Sequence, residues 1–302
     1  MNPDNRPEQR AEVSAEEREK LLRDRMLCVQ FEYMVKLLKG EPFIDGSVVS
    51  DTFEEAIVKY TRLERDIRTA YTKRTGKHAY SEDGKHTEEY DVLVKGIFSE
   101  INKDYTQNPD AFPDIHRINQ VTEDSINALP EGEGGENHKD KREKVGSVEY
   151  SVVHGPKGFE EYGISKDDDC VELHFIPPAQ REDGRTSGVL SLRKNIEESF
   201  GRIARRVKEE HLTAKAVTAN SWLLDPKIKF AQKLGFKGLS QYGGTGFIRS
   251  NAFWGQFIDE NRQVKEGEVQ KFLETGIPKY RATLGYIPIE EFLEKYGEEK
   301  KD

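Results

Sequence analysis

Cysteine is nearly absent from this chain: Cys28 and Cys170 are the only two in 302 residues. Two thiols build neither a disulfide framework nor a cysteine-based zinc site, so the fold is expected to stand on its core alone. Long apolar runs are missing as well. No stretch approaches the roughly 20 apolar residues that cross a bilayer. The opening MNPDNRPEQRAEVSAEEREK has no apolar segment of a secretory leader. A basic excess is lacking too, since 47 Lys and Arg stand against 56 Asp and Glu, a net charge of -9. A general nucleic-acid binder needs a basic surface to displace counterions, and this balance offers none. Apolar residues make up 35% and charged residues 34%. That composition predicts real cores diluted by solvated helices and polar linkers. The expectation is a cytoplasmic, acidic protein of about two domains, with no nucleic-acid or membrane partner.

What is present divides into two patterns. Residues 1–13 are polar with two prolines and are expected to form a disordered tail. Ser14 and Glu17 then spell a capping box, and Leu22, Met26, Val29, Tyr33 and Leu37 recur at steps of three and four up to Gly40. A second helix is expected from Asp51 to Gly76, with Phe53, Ile57, Tyr60, Leu63, Ile67 and Tyr71 as its buried stripe. Thr87 is the expected cap of a third, which carries Tyr90, Leu93, Ile97, Ile101 and Tyr105 on one face until Pro109 and Pro113. Residues 14–130 thus read as a helical domain. EGEGGENHKDKREK at 131–144, with three glycines and nine charges, reads as a linker.

Strands and helices alternate from 145 to 302, which makes the chain α+β. VGSVEYSVV at 145–153 and CVELHFI at 170–176 are expected strands, followed by an amphipathic helix through Leu192, Ile196, Phe200, Ile203 and Val207. AKAVTANSWLL at 214–224 reads as a strand, 226–234 as a short helix, and GFIRSNAFWGQFID at 246–259 as a further strand. VQKFLETG, RATLGYI and IEEFLEKY close the chain as helix, strand and helix.

Few residues carry chemistry. Glu172 and His174 sit two apart on a strand and so share a face, where a carboxylate beside an imidazole makes a general base. A half-buried structural histidine is the competing role. In SWLLDP, Ser221 lacks a nucleophile elbow, and Asp225 is expected to cap the helix that follows. Gln241-Tyr242-Gly243-Gly244-Thr245-Gly246 fits Q-x-x-G-x-G, a form whose backbone amides can face a pyrophosphate. Its context, from a helix into a strand, favours a plain glycine-rich turn. Arg193, Lys194, Arg202, Arg205, Arg206 and Lys208 make one helix basic, either to steer an anion or as a solvated face. The seven histidines are scattered, so no metal site is expected.

Five short motifs occur in a definite order: GSVEY (146–150), DCVELHFIP (169–177), SLRKNIEESF (191–200), SWLLDP (221–226) and SNAFWGQF (250–257). In this order the chain resembles the bacterial acyltransferase domain-containing proteins, which join a helical N-terminal domain to a GNAT-like C-terminal domain. Ser221, Trp222 and Asp225 carry most of that resemblance. It departs at Glu149, where the family has Gln, and at Phe175, an extra residue before Ile176 and Pro177. The resemblance implies a GNAT-like mixed sheet with flanking helices and acyl-CoA as co-substrate. It further implies transfer of the acyl group to a small-molecule or peptide amine. His174 or Glu172 would be the base, Tyr242 the acid on the thiolate, and Gln241, Gly243, Gly244 and Gly246 the cofactor loop. A GNAT-like module that binds without catalysing is the open alternative, and a helical scaffold that recruits a partner is a third.

Overall fold

The computed structural model describes residues 14–41, 51–81, 84–132, 142–154, 158–176, 189–210, 213–241, 251–259 and 262–298. The first helix, α1 (Ala15–Leu38), starts where Ser14 Oγ accepts the Glu17 amide at 3.1 Å. The expected second helix is two, α2 (Phe53–Tyr60) and α3 (Leu63–Thr75). Thr61 between them is extended, and the buried Gln30 accepts the amide of Arg62 through Oε1 at 2.9 Å. The apolar stripe runs on across this break, so periodicity alone cannot reveal it. Next come α4 (Glu88–Gln107) and α5 (Ile115–Asn127). Thr87 stands at the start of α4 without a side-chain cap bond. The unforeseen α5 is capped by Asp114, whose carboxylate accepts the amides of His116 and Arg117.

The first expected strand is a hairpin, β1 (Glu143–Val145) and β2 (Val148–His154). Gly146 turns it at φ +60°, and a Cβ there would meet Ser199 Oγ at 2.6 Å, so glycine is required twice over. Then follow β3 (Asp169–Phe175), α6 (Val189–Glu209), β4 (Ala216–Ser221), α7 (Phe230–Leu234) and β5 (Lys237–Gln241). The chain continues through α8 (Asn251–Trp254), α9 (Glu266–Thr275), β6 (Thr283–Pro288) and α10 (Ile289–Tyr296). The expected strand 214–224 ends at Ser221 and gives way to a 3-10 turn, Trp222–Leu224, and the helix expected at 226–234 is a 3-10 turn, Pro226–Ile228, followed by α7.

The fold is α+β. Its six strands form one mixed sheet in the order β1-β2-β3-β4-β6-β5. Every neighbouring pair is antiparallel except β3 and β4. One face carries Val148, Tyr150, Val171, Leu173, Val217, Ala219 and Ile287 onto α6 and α10, where Ile196, Phe200, Ile203 and Phe292 complete a core. Burying each such side chain contributes about 1.5–3 kcal/mol, so this layer fixes how the strands lie.

The strand expected at 246–259 is overturned over its described part: 251–254 is α-helical and 255–257 a 3-10 turn. Phe253, Trp254 and Phe257 fall at helical steps and leave the sheet for the core of α1–α5. With Val269, Phe272 and Leu273 of α9 they complete that core. Two bidentate ion pairs bind the same segment to α1, Arg25 with Glu266 and Arg262 with Glu19. The helical layer is therefore closed by residues from both ends of the chain.

Phe272 packs its ring on Tyr33, Phe253, Trp254 and Phe257. Phe272→Ala is expected to lower stability by about 3–5 kcal/mol and to shift one single unfolding transition followed by circular dichroism. A split into two transitions, with one unmoved, would contradict a shared core.

Candidate active site

The second face of the sheet is polar where the first is apolar. Cross-strand register places Ser151 and Glu149 of β2 beside Glu172 and His174 of β3. Glu172 in turn lies beside Thr218 of β4, with Asn220 two residues further along. All six point away from α6, because their neighbours Tyr150, Val171, Leu173, Val217 and Ala219 point toward it. The lower end of this face is closed by Phe159, Ile164, Cys170, Ala216 and Leu284, with Tyr162 stacked on Tyr286 at 5.0 Å.

The parallel ladder between β3 and β4 is short. Cys170–Leu173 pair with Ala216–Ala219, and there it stops, although β3 runs on to Phe175 and β4 to Ser221. Beyond that point His174 of β3 and Asn220 of β4 have no ladder partner in each other's strand. This is the only parallel pair among the described strands.

His174 Nε2 and Glu172 Oε2 are 3.0 Å apart, and the two side chains are 31% and 29% exposed. The hydrogen bond from His174 holds the Glu172 carboxyl below its usual range. Burial opposes that lowering, and the Arg142 charge adds to it. Glu172 is thus held as an anion beside the imidazole. Burial pushes the Cys170 thiol beneath this face up to about 11, which removes it as a thiolate nucleophile at neutral pH.

SWLLDP fastens the end of β4. Ser221 Oγ accepts the Leu223 amide, and the buried Asp225 accepts the amides of Lys227 at 2.8 Å and Arg281 at 2.7 Å. Trp222 stacks on Tyr280 at 5.7 Å, and a Cβ on Gly255 would come within 3.1 Å of the Trp222 indole nitrogen. These contacts fix the segment that follows β4 against the start of β6. The basic face of α6 is partly ion-paired, Arg193 with Glu197 and Arg206 with Glu143.

Gln241 ends β5 opposite Thr283, which itself lies opposite Ser221. Strand β5 therefore ends at the same edge of the sheet as β4, two strands or about 10 Å from it. Tyr242, Gly243, Gly244 and Gly246 lie outside the described residues. The context read from sequence is corrected: the segment runs from strand β5 to helix α8, not from a helix into a strand.

Sequence reasoning missed Thr218 and Asn220. Thr218 is 0% exposed, and neither its Oγ1 nor Asn220 Oδ1 has a hydrogen-bond partner. An unmet buried polar group costs about 1–3 kcal/mol, which marks both positions. The available signal was polar residues at alternate positions of an otherwise apolar strand. Among the described residues no group of His, Cys, Asp and Glu is placed to hold a metal, and no helix is long and apolar enough to cross a membrane.

No family model matches the chain, and no curated protein sequence does. Solved structures that match are acyltransferases. One, in complex with CoA and 10C-teicoplanin, is 17% identical with a TM-score of 0.31, over 92% of this chain and 89% of that one. Another, in complex with decanoyl-CoA and teicoplanin, is 18% identical with a TM-score of 0.32, over 94% and 91%. So low a TM-score carries no argument by itself, and the chemistry rests on the face described above.

Two outcomes test the geometry. Because the folded Glu172 carboxyl titrates below its usual 4.5, its contribution to stability is complete above that pH and is lost as pH falls through the folded value. Between about pH 5 and about pH 3 the wild type should therefore lose more urea resistance than Glu172→Gln; equal losses would contradict the pair. Asp225→Ala strands two backbone amides and should lower stability by about 2–4 kcal/mol, read from the urea midpoint, whereas an unmoved midpoint would remove Asp225 as the fastener.

Proposed function

We propose that this protein is an acyl-CoA-dependent N-acyltransferase of GNAT type. The observation that carries the proposal is the early end of the β3–β4 ladder beside the hydrogen-bonded Glu172 and His174. In this reading the acyl-CoA supplies the thioester, and its arm lies between the parted strands. Backbone amides released from the ladder are preorganised donors for the carbonyl oxygen as it gains charge. His174, held by Glu172, takes the proton from the acceptor amine as its nitrogen bonds to the carbonyl carbon. The carbon–sulfur bond then breaks, and the thiolate leaves with a proton for which Tyr242 is the candidate donor. Gln241, Gly243, Gly244 and Gly246 are the candidate pyrophosphate contacts.

Calorimetric titration of the full chain with acetyl-CoA, a longer acyl-CoA and free CoA tests the proposal. Saturable binding with a dissociation constant in the micromolar range is expected, about -8 kcal/mol. His174→Ala should still fold, with a melting temperature lowered by loss of the Glu172 pair, and lose about 10²- to 10⁴-fold in kcat. Absence of heat with every donor, and an unmoved melting temperature, would leave a GNAT-like binding module without transferase activity.

A further inference from the structure

The polar face of the sheet is not polar to its end. Cross-strand register sets Leu284 of β6 opposite Asn220 and Tyr286 opposite Thr218, on the same side as Glu172 and His174. Further down this face, Cys170 and Ala216 are fully buried in one cluster with Phe159, Ile164 and Leu284. That small apolar cluster belongs to neither of the two large cores. Its cover is the turn at 159–164, where the amides of Tyr162 and Ile164 both donate to the Phe159 carbonyl and Gly163 takes φ +75°.

The rim of the cluster is a pair of half-buried rings. Tyr162 stacks on Tyr286 with centroids 5.0 Å apart and planes 28° from parallel. Gly238 of β5 lies against both, since a Cβ there would stand 2.6 Å from Tyr286 Cε1 and 2.7 Å from Tyr162 Cε1. The rings thus rest on the β5 backbone and have no room to retreat toward it. Successive residues on one face of a strand are about 7 Å apart. The stack therefore stands one such step from the level of His174 and Asn220.

We propose that the Tyr162–Tyr286 stack is the floor of the acyl pocket and restricts the donor to short acyl groups, from acetyl to butyryl. The inference rests on the acyltransferase reading above and deepens it by naming the class of donor. With the thioester carbonyl beside His174 and Asn220, the acyl carbons run along the buried Leu284 and end at the two rings. An octanoyl chain is longer than the single step available and meets the stack. Tyr162 and Tyr286 are specificity-determining in this scheme, because they touch the end of the acyl chain and not the reacting carbonyl.

The full chain is titrated by calorimetry with free CoA, acetyl-CoA, butyryl-CoA and octanoyl-CoA. Acetyl-CoA or butyryl-CoA is expected to bind about tenfold or more tightly than octanoyl-CoA, the scale on which a closed apolar pocket rejects added methylenes. Tyr162→Ala removes the ring that the turn supplies and should abolish that preference by tightening octanoyl-CoA. Tyr286→Leu shortens the other ring while keeping an apolar strand residue, and it should act in the same direction. Melting curves identify which variants fold.

Octanoyl-CoA bound by the wild type as tightly as acetyl-CoA and butyryl-CoA would overturn the proposal. So would a folded variant of either tyrosine that keeps the wild-type preference. The free CoA arm separates this claim from the one beneath it. A chain that binds CoA and every thioester alike keeps the transferase reading and loses the floor. A chain that binds neither CoA nor any thioester loses the transferase reading, and the floor falls with it.

Discussion

Two buried polar side chains grip two consecutive backbone amides, and the rest of the molecule is organised around that grip. Gln256, from the segment that completes the helical core, accepts the Tyr280 amide at 2.9 Å. Asp225, from the end of β4, accepts the Arg281 amide at 2.7 Å. The helical core and the sheet thus hold adjacent residues of one short segment just before β6. Gln256 is itself fixed, since its amide nitrogen donates to the Phe253 carbonyl at 3.0 Å. The grip seats Tyr280 under Trp222 and starts β6 in register with β4. Both acceptors are buried side chains, so breaking either bond leaves a buried polar group unmet and the joint is costly to open.

From that joint the site follows by simple geometry. Alternation in β3 and β4 sends Val171, Leu173, Val217 and Ala219 into the α6–α10 core, and the same alternation must send Glu172, His174, Thr218 and Asn220 the other way. The apolar half builds the core, and the polar half carries the groups of the proposed site. The parallel ladder ends at Leu173 and Ala219, beside these polar groups. Unpartnered oxygens at Thr218 and Asn220 are a stability cost at the same place. That coincidence is the expected mark of a surface shaped for a ligand rather than for folding alone.

How much of this was legible depends on whether the signal was local. The stripes of α1, α4 and α6 and the alternation of CVELHFI are local, and each element stands within a few residues of its expected bounds. The same alternation put Glu172 and His174 on one face, where they hydrogen-bond. The break at Thr61 was hidden because Gln30, far away in sequence, satisfies it. The α5 helix was hidden because Pro109 and Pro113 masked a start that Asp114 caps. Phe253, Trp254 and Phe257 looked like a strand because an aromatic-rich run has high strand propensity. Their burial against α1 and α9 is tertiary information that no local window contains. Thr218 and Asn220 were passed over for a related reason, since a missing partner is visible only when every neighbour has been placed.

The most direct test of the account is a crystal structure of the full chain with a non-hydrolysable acyl-CoA analogue. The account predicts the carbonyl of the analogue between β3 and β4 beyond Leu173 and Ala219, with the His174 imidazole on the side where an acceptor approaches. An analogue seated elsewhere on the molecule, or strands that stay closed beside it, would contradict the account.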